Sequence, residues 1–423
     1  MLLVQCERGR SGIDLWSAHL DRLNALSVRP DPFSTADYLR AYVDHSEYFP
    51  NGMDVRLFII QDGRDVVGVV PMRAVVDSFV SGLGASRLEF LVTHDNEQPH
   101  VVCAAGDEDR VAEAFVNHVL QRESPWSLVE FKGQPEHSAL RRVAHARASK
   151  RLWVRDIPIS PYSEVTLGSG DLAGYYASLS KRMRSNISRQ TRRLFSAGAV
   201  EFLLAEGAQA CTALFDAYLE LENASWKFAT PAAAQRHPQR VAFLRAVAAG
   251  HAGSEPSLVA ICLDGQMVAG LLCASHGQGS WALEMAYDET HADLGPGQLL
   301  LLLATALALE RRHHFFNFLQ SYGYYKQRWG ADSVEVVNVQ LIRRPGLHHL
   351  KGVVGDWNRR RRPYDIDAPK LANDQRHARP ASLAHPSRAQ ATQLLNDALC
   401  HGGPGVRRYA GAAASAHLPF ATR

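Results

Sequence analysis

The chain predicts an α+β fold built of two similar halves, and three observations carry that prediction. Its 423 residues are 46% hydrophobic and 21% charged, ordinary globular material with room for two or three domains. Two segments, Val55-Arg-Leu-Phe-Ile-Ile-Gln-Asp62-Gly63 and Ser257-Leu-Val-Ala-Ile-Cys-Leu-Asp264-Gly265, each join an apolar strand to a second one, with Gly68 or Gly270 six positions after the aspartate. Each hairpin is followed by more strands and then a strand–helix–strand unit, an order that suits a mixed, mostly antiparallel sheet flanked by helices. Asp-Gly hairpins are common and two can coincide, but the matched later glycine and the similar flanks favour a repeat.

In the first half the hairpin is followed by strands near 88–92 and 100–102, a helix near 109–121 and a strand at 128–132. A link at 152–165, interrupted by Pro158 and Pro161, leads into the second half. Helix 181–197 has Ser180 as N-cap, Gly198 as stop and Met183, Ile187 and Leu194 as its apolar stripe. An amphipathic helix with Leu214, Tyr218 and Leu221 comes next, then the second hairpin, strand 280–288, helix 296–312, strand 315–319 and a closing strand 334–343. From Arg359 onward Arg, Pro, Ala, His and Ser replace apolar periodicity, which predicts disorder with one short helix near 388–399. The expected division is 1–155, 156–345 and a basic, largely disordered tail, 346–423.

A formal net charge of +3 argues against polyanion binding by the chain as a whole. The cysteines (Cys6, Cys103, Cys211, Cys262, Cys273, Cys400) form no CxxC pair and no metal-ligand spacing, so thiols in a reducing cytoplasm are expected, and no metal. The N-terminus lacks the charged and apolar blocks of a signal peptide. The most apolar run, 299–309, falls short of the roughly 18 residues of a membrane span and reads as a buried helix.

The most informative stretch runs from Glu284-Met-Ala-Tyr-Asp288 through Leu294-Gly-Pro-Gly297 into the apolar helix. A glycine turn opening a helix leaves backbone N–H groups unpaired at the positive end of the dipole, where phosphate or pyrophosphate can be held. Gly295 and Gly297 allow close approach, the N–H groups of Gln298 and Leu299 are the donors, and Pro296 removes no N–H that the helix would use. A plain loop-to-helix junction is the alternative. The matching place in the first half, Ala104-Ala-Gly-Asp-Glu-Asp109, is acidic and poor for phosphate, so the second half reads as the active one and the first as scaffold or substrate side. Helix 181–197 carries Lys181, Arg182, Arg184, Arg189, Arg192 and Arg193 with no acid, and Arg182, Asn186, Arg189 and Arg193 share a face. Cations in a first helical turn oppose the dipole, so this face either meets a bound anion or is merely solvated.

Several of these stretches match a known pattern. Ser180-Lys-Arg-Met-Arg-Ser-Asn186 resembles a basic K-x-x-R-x-N helix start, and Ser225-Trp-Lys227 a short motif after the next helix. Tyr287-Asp288, Gly295-Pro-Gly297-Gln-Leu-Leu, Phe316-Asn-Phe and Tyr325-Lys-Gln-Arg-Trp329 complete the order. Together, over roughly 160–345, they resemble the CelD-type (BioF2-like) acetyltransferases, a GNAT-superfamily group related to the FemAB-type peptidyltransferases. The resemblance implies tandem GNAT-like halves. It also implies transfer of an acyl group, acetyl foremost, from acyl-CoA to an amine or hydroxyl of a small-molecule or polysaccharide-related acceptor. Two places depart from the family: Asn317 stands where an acid is common, and Ser321-Tyr-Gly-Tyr-Tyr-Lys326 replaces a Gly-x-x-x-Tyr-Lys loop.

Acyl transfer needs a pyrophosphate anchor, an oxyanion donor, a base for the ammonium and an acid for the thiolate. On an alternating strand Leu283, Met285 and Tyr287 oppose Glu284 and Ala286, which makes Glu284 a candidate base or a solvated glutamate. Tyr325 or Tyr324 can protonate the thiolate, and Lys326 can bind an acidic group; Tyr325 and Trp329, four apart, can equally be packing residues. Trp226 and Lys227 line a groove or plug a seam, and Tyr287 and Asp288 touch substrate or cap a turn. Arg184 and Asn186, singled out by the resemblance, are read as substrate-binding. Two other readings stay open: FemAB-type aminoacyl transfer from charged tRNA to a cell-wall precursor, and a non-catalytic anion or nucleic-acid module built on helix 181–197 and the arginines at 359–362. The modest charge and the absence of aromatics among those arginines weigh against nucleic acid.

Overall fold

The computed structural model describes residues 2–45, 54–80, 83–92, 98–121, 125–168, 170–225, 237–320, 324–346, 349–350, 353 and 406–410. The first half opens with strand β1 (Leu3–Arg8) and helices α1 (Arg10–Leu26) and α2 (Ala36–Asp44). Thr35 caps α2 by accepting the Tyr38 N–H. The hairpin β2 (Asp54–Asp62) and β3 (Asp65–Val80) leads to β4 (Leu83–Phe90), β5 (Val102–Cys103), α3 (Glu108–Val119), β6 (Leu128–Pro135), α4 (Ala139–Ala146) and β7 (Leu152–Pro158). The second half runs through β8 (Tyr162–Thr166), α5 (Leu172–Ser178), α6 (Lys181–Ala197), β9 (Val200–Glu206), α7 (Ala208–Ala224) and α8 (Pro238–Ala248). Then come β10 (Glu255–Leu263), β11 (Gln266–His276), β12 (Gly279–Tyr287), α9 (Pro296–Glu310), β13 (Phe315–Gln320), α10 (Tyr324–Arg328) and β14 (Asp332–Val334). Strands β15 (Val336–Arg343) and β16 (Val406–Ala410) follow.

The strands form two sheets, in the orders β1-β2-β3-β4-β6-β15-β7 (with β5 on β3) and β14-β8-β13-β12-β11-β10-β9-β16. In each, antiparallel neighbours give way to a parallel pair at the crossover, β4 with β6 and β12 with β13. The same plan built twice confirms the tandem halves, but the halves exchange a strand. Beside crossover strand β6 lies β15 from the far end of the second half, and beside β13 lies β8 from the link. The expected closing strand 334–343 is therefore divided: Asp332–Val334 pairs with β8, and Val336–Arg343 joins the first sheet. Val339 and Leu341 bury in the first half's core, a preference that alternation alone cannot assign to one sheet or the other. Within the tail, β16 adds a parallel strand to the edge of the second sheet at β9. The helix expected near 388–399 lies outside the described residues.

The two hairpins differ by one position. In the second, Asp264 and Gly265 both have positive φ, 51° and 81°, as a type I′ turn requires. In the first, Asp62 pairs with Asp65, so Gly63 (φ 61°) and Arg64 form the turn. A one-residue slip flips every side chain. Gly68 accordingly faces Val111 of α3, whereas Gly270 faces Tyr218 of α7, on the opposite side of its sheet.

Helices α3 and α4 cover the outer face of the first sheet, and α6 and α9 that of the second. Between the inner faces, α1, α2, α7 and α8 share one core with Val55, Leu57 and Ile59 of β2 and Leu258 and Ala260 of β10. Edge-to-face rings lock it across the halves, Tyr38 with Phe243 at 5.3 Å and Phe33 with Trp281 at 5.9 Å. Residues 299–309 of α9 are buried on every side, which is why that helix is apolar all round. No helix among the described residues is long and apolar enough to cross a membrane.

Candidate active site

Strands β12 and β13 run side by side only at their start. Gly279, Ser280 and Trp281 pair with Phe315, Phe316 and Asn317, and there the ladder stops. Close approach requires Gly279, because a Cβ there would lie 2.2 Å from the Phe315 ring. Two irregularities open the remainder. On β12, Ala282 opposes Cys273 and Glu284 opposes Leu272, so Leu283 is bulged. On β13, Leu319 has left-handed backbone (φ 57°), and Asn317 Oδ1 accepts its N–H at 2.7 Å. Among the described residues, no strand pairs with the β13-side edge of β12 from Ala282 to Tyr287. An extended ligand can pair with such an edge.

Where β12 ends, Asp288 caps a 3-10 turn (Glu289–Leu294), accepting the Thr290 N–H at 2.9 Å. Burial raises the Asp288 carboxyl, but bonds from Thr290 and His291 outweigh it and hold it below its ordinary range. Gly295 then takes left-handed backbone (φ 67°), and a Cβ on it would lie 2.0 Å from Gln190 Nε2. Its carbonyl accepts the N–H groups of Gln298 at 3.1 Å and Leu299 at 3.4 Å. These amides, expected to grip a phosphate, instead close the first turn of α9. The Gly297 N–H has no backbone acceptor among the described residues.

Helix α6 lies along this turn, capped as expected by Ser180, which accepts the Met183 N–H. Asn186 Nδ2 donates to Gln298 Oε1 at 2.8 Å, Arg189 donates to Asn186 Oδ1, and Arg193 donates to the Asp293 carbonyl at 3.3 Å. Arg189 and Arg193 are exposed. The glycine turn and the basic face, read separately from the sequence, thus form one rim, on which Arg189 and Arg193 stand beside the exposed Glu289 and Asp293.

Residues 181–327, which span this rim and both splayed strands, match the family described as an acetyltransferase (GNAT) domain. They form a GNAT acyltransferase domain. No curated protein matches the chain. Among solved structures, the crystal structure of FemX resembles it with a TM-score of 0.54 at 12% identity, covering 79% of this chain and 98% of FemX. A conserved protein of unknown function from Bacteroides thetaiotaomicron VPI-5482 has a TM-score of 0.50 at 11% identity, covering 81% of this chain and 100% of that one. Likeness at such identities speaks for the fold, and it extends over both halves.

Other expected residues of the GNAT domain have different partners from those foreseen. The bulge puts Leu283 on the inner face with Ala286. Glu284 lies there too, opposite Leu272, so the alternation expected around it is broken. Arg240 Nη2 meets Glu284 Oε1 at 2.7 Å, with both side chains 12% exposed, so Glu284 is no solvated strand glutamate. Tyr218 lies on the same side, its ring against Gly270 and its buried hydroxyl without a hydrogen-bond partner among the described residues. Burial pushes that phenol well above its ordinary range, and Glu284 and Glu222 add to the effect.

Arg184 is half-buried and its Nη1 is already engaged. Its guanidinium donates to the carbonyls of Ala177 (2.7 Å) and Leu179, satisfying the last carbonyls of α5. Lys326 is 1% exposed and donates to the carbonyls of Phe318 at 2.8 Å and Leu319 at 2.7 Å. Its ammonium fastens the end of β13. Tyr287 is half-buried beside Gly297, and Asp288 is the turn cap described above. Trp226 and Lys227, and the side chains of Tyr324 and Tyr325, lie outside what is described. Gln190, Arg240, Glu164 and Arg29 carry site geometry that the sequence reading missed. Each is recognisable only from a partner remote in sequence. Among the described residues no three His, Cys, Asp or Glu side chains gather as a metal site needs.

Proposed function

We propose that the GNAT domain moves an acyl group, acetyl foremost, from acyl-CoA to an amine or hydroxyl of a small-molecule or glycan-type acceptor in the cytoplasm. The observation that carries this reading is the parting of β12 from β13 beside the start of α9, where α6 lies against the turn. A diphosphate here meets the Gly297 N–H and the positive end of the α9 dipole, with Arg189 and Arg193 adding charge. The amide-bearing arm of the donor takes the ladder position that β13 vacates. Its thioester then lies near the Leu283 bulge, where N–H groups on the open edge polarise the carbonyl.

The acceptor enters from the inner face past Glu284, which removes a proton through water while Arg240 fixes its orientation. A bond forms from acceptor nitrogen or oxygen to the acyl carbon, the carbon–sulfur bond breaks, and the thiolate takes a proton, for which Tyr325 is the candidate donor. Thermal shift and calorimetry with acetyl-CoA and CoA test the reading; stabilisation by both supports it. If neither stabilises the protein the reading fails. The FemX-like fold over both halves then favours the second reading, FemAB-type aminoacyl transfer from charged tRNA.

A further inference from the structure

Asn317 is the last residue of β13 to pair with β12, and the strands part immediately after it. We propose that Asn317 positions the donor cleft by steering β13 away from β12, and that Arg29 of the first half holds Asn317 in that task through Glu164. The inference rests on reading the parted strands as the donor site.

Asn317 is 4% exposed and engages both ends of its carboxamide. Its Oδ1 accepts the Leu319 N–H at 2.7 Å, which draws Leu319 into left-handed backbone that residues other than glycine seldom adopt. In a regular strand consecutive carbonyls point to opposite edges. Here the carbonyls of Phe318 and Leu319 both turn to the buried Lys326 ammonium. The chain beyond Asn317 is therefore committed to a course that β12 cannot follow.

The other end of the amide, Nδ2, donates to Glu164 Oε2 at 3.2 Å, and Glu164 stands directly opposite Asn317 on β8. Only a carboxamide meets both neighbours, giving a proton to the carboxylate and taking one from the backbone. An aspartate would set carboxylate against carboxylate on adjacent strands. Glu164 Oε2 also accepts Arg29, whose guanidinium lies 4.2 Å from the Phe315 ring centroid and 5.9 Å from that of Tyr162. Arg29 lies between α1 and α2, so the tether comes from the half that lacks a phosphate turn. It gives that half a task in the other's chemistry.

The test uses the full chain, acetyl-CoA as donor and hydroxylamine as a small nucleophilic acceptor, with release of CoA thiol as readout. Asn317→Asp lowers kcat by about tenfold or more, as expected of a reacting carbonyl displaced by a fraction of its length. The KM for acetyl-CoA and the affinity for CoA change less than kcat, because the diphosphate anchor lies outside the cleft and only the donor's arm runs through it. Asn317→Asp combined with Glu164→Gln restores most of kcat, since the new carboxylate accepts from both Leu319 and the Gln amide. A purely structural role would shift the melting temperature without this rescue.

The inference is overturned by an Asn317→Asp variant with wild-type kcat, or by a double variant that binds CoA normally yet stays slow. Should the single variant not fold, Asn317→Ala takes its place: a fall in kcat larger than any change in KM supports the inference, and no fall refutes it. A wild-type chain that binds neither acetyl-CoA nor CoA removes the donor-site reading and this inference with it. A wild type that binds and turns over but is indifferent at position 317 removes this inference alone.

Discussion

Replacing Gly295 by alanine adds one Cβ where the backbone is left-handed and Gln190 already fills the space. The strain of an L-residue in that conformation is about 1–2 kcal/mol. The new atom would lie 2.0 Å from Gln190 Nε2 and 2.2 Å from Cδ, and moving a buried neighbour of that kind costs about 1–3 kcal/mol more. The sum is roughly 2–5 kcal/mol, which corresponds to a fall in melting temperature on the order of 10 °C. Two residues on, Gly297 has no such constraint, since the nearest foreign atom to an added Cβ is Tyr287 Cδ1 at 3.4 Å. Gly297→Val should therefore cost less stability than Gly295→Ala, while its side chain competes with a phosphate at the Gly297 N–H and raises the KM for acetyl-CoA about tenfold. The assay is paired: calorimetric melting of both variants, and donor KM for each that folds. Wild-type stability in Gly295→Ala would refute the geometry of the turn. A wild-type donor KM in Gly297→Val would refute the anchor.

Arg184→Ala is expected to leave donor and acceptor KM unchanged but to cost about 0.5–1.5 kcal/mol in denaturant melts, because it strips the end of α5 of its donors; a changed acceptor KM with unaltered stability would restore the substrate-facing role. Tyr218→Phe removes a buried hydroxyl that has no hydrogen-bond partner among the described residues, so it should stabilise the chain by about 1 kcal/mol, and clear destabilisation in the same melts would show that a partner exists. For Asp288 the folded carboxyl lies below its ordinary value, so its ionised form contributes stability that is complete above that value and lost as pH falls through the folded one. The stability difference between wild type and Asp288→Asn should thus be constant near neutrality and shrink below about pH 4; a difference independent of pH down to acid unfolding would contradict the assignment of the cap.

The sequence by itself determined those features whose causes act within a few residues: the two hairpins, the Ser180 cap of α6, the buried apolar α9, and a glycine turn at its head. Capping, turn chemistry and apolar period are local forces, and they specify an element wherever the chain later carries it. The tertiary structure alone decided which elements meet. Alternation buries Val339 and Leu341 equally well in either sheet, so only the meeting of open strand edges put β15 in the first half and β8 in the second. One bulged residue, Leu283, moved Glu284 into company that strict alternation would not give it. Arg184 Nη1 went to the carbonyls at the end of α5 because an unpaired helix end lay within reach of its guanidinium. The tie from Arg29 to Asn317 joins groups far apart in the chain, and no local force selects such partners; they are chosen when two sheets close on a common core.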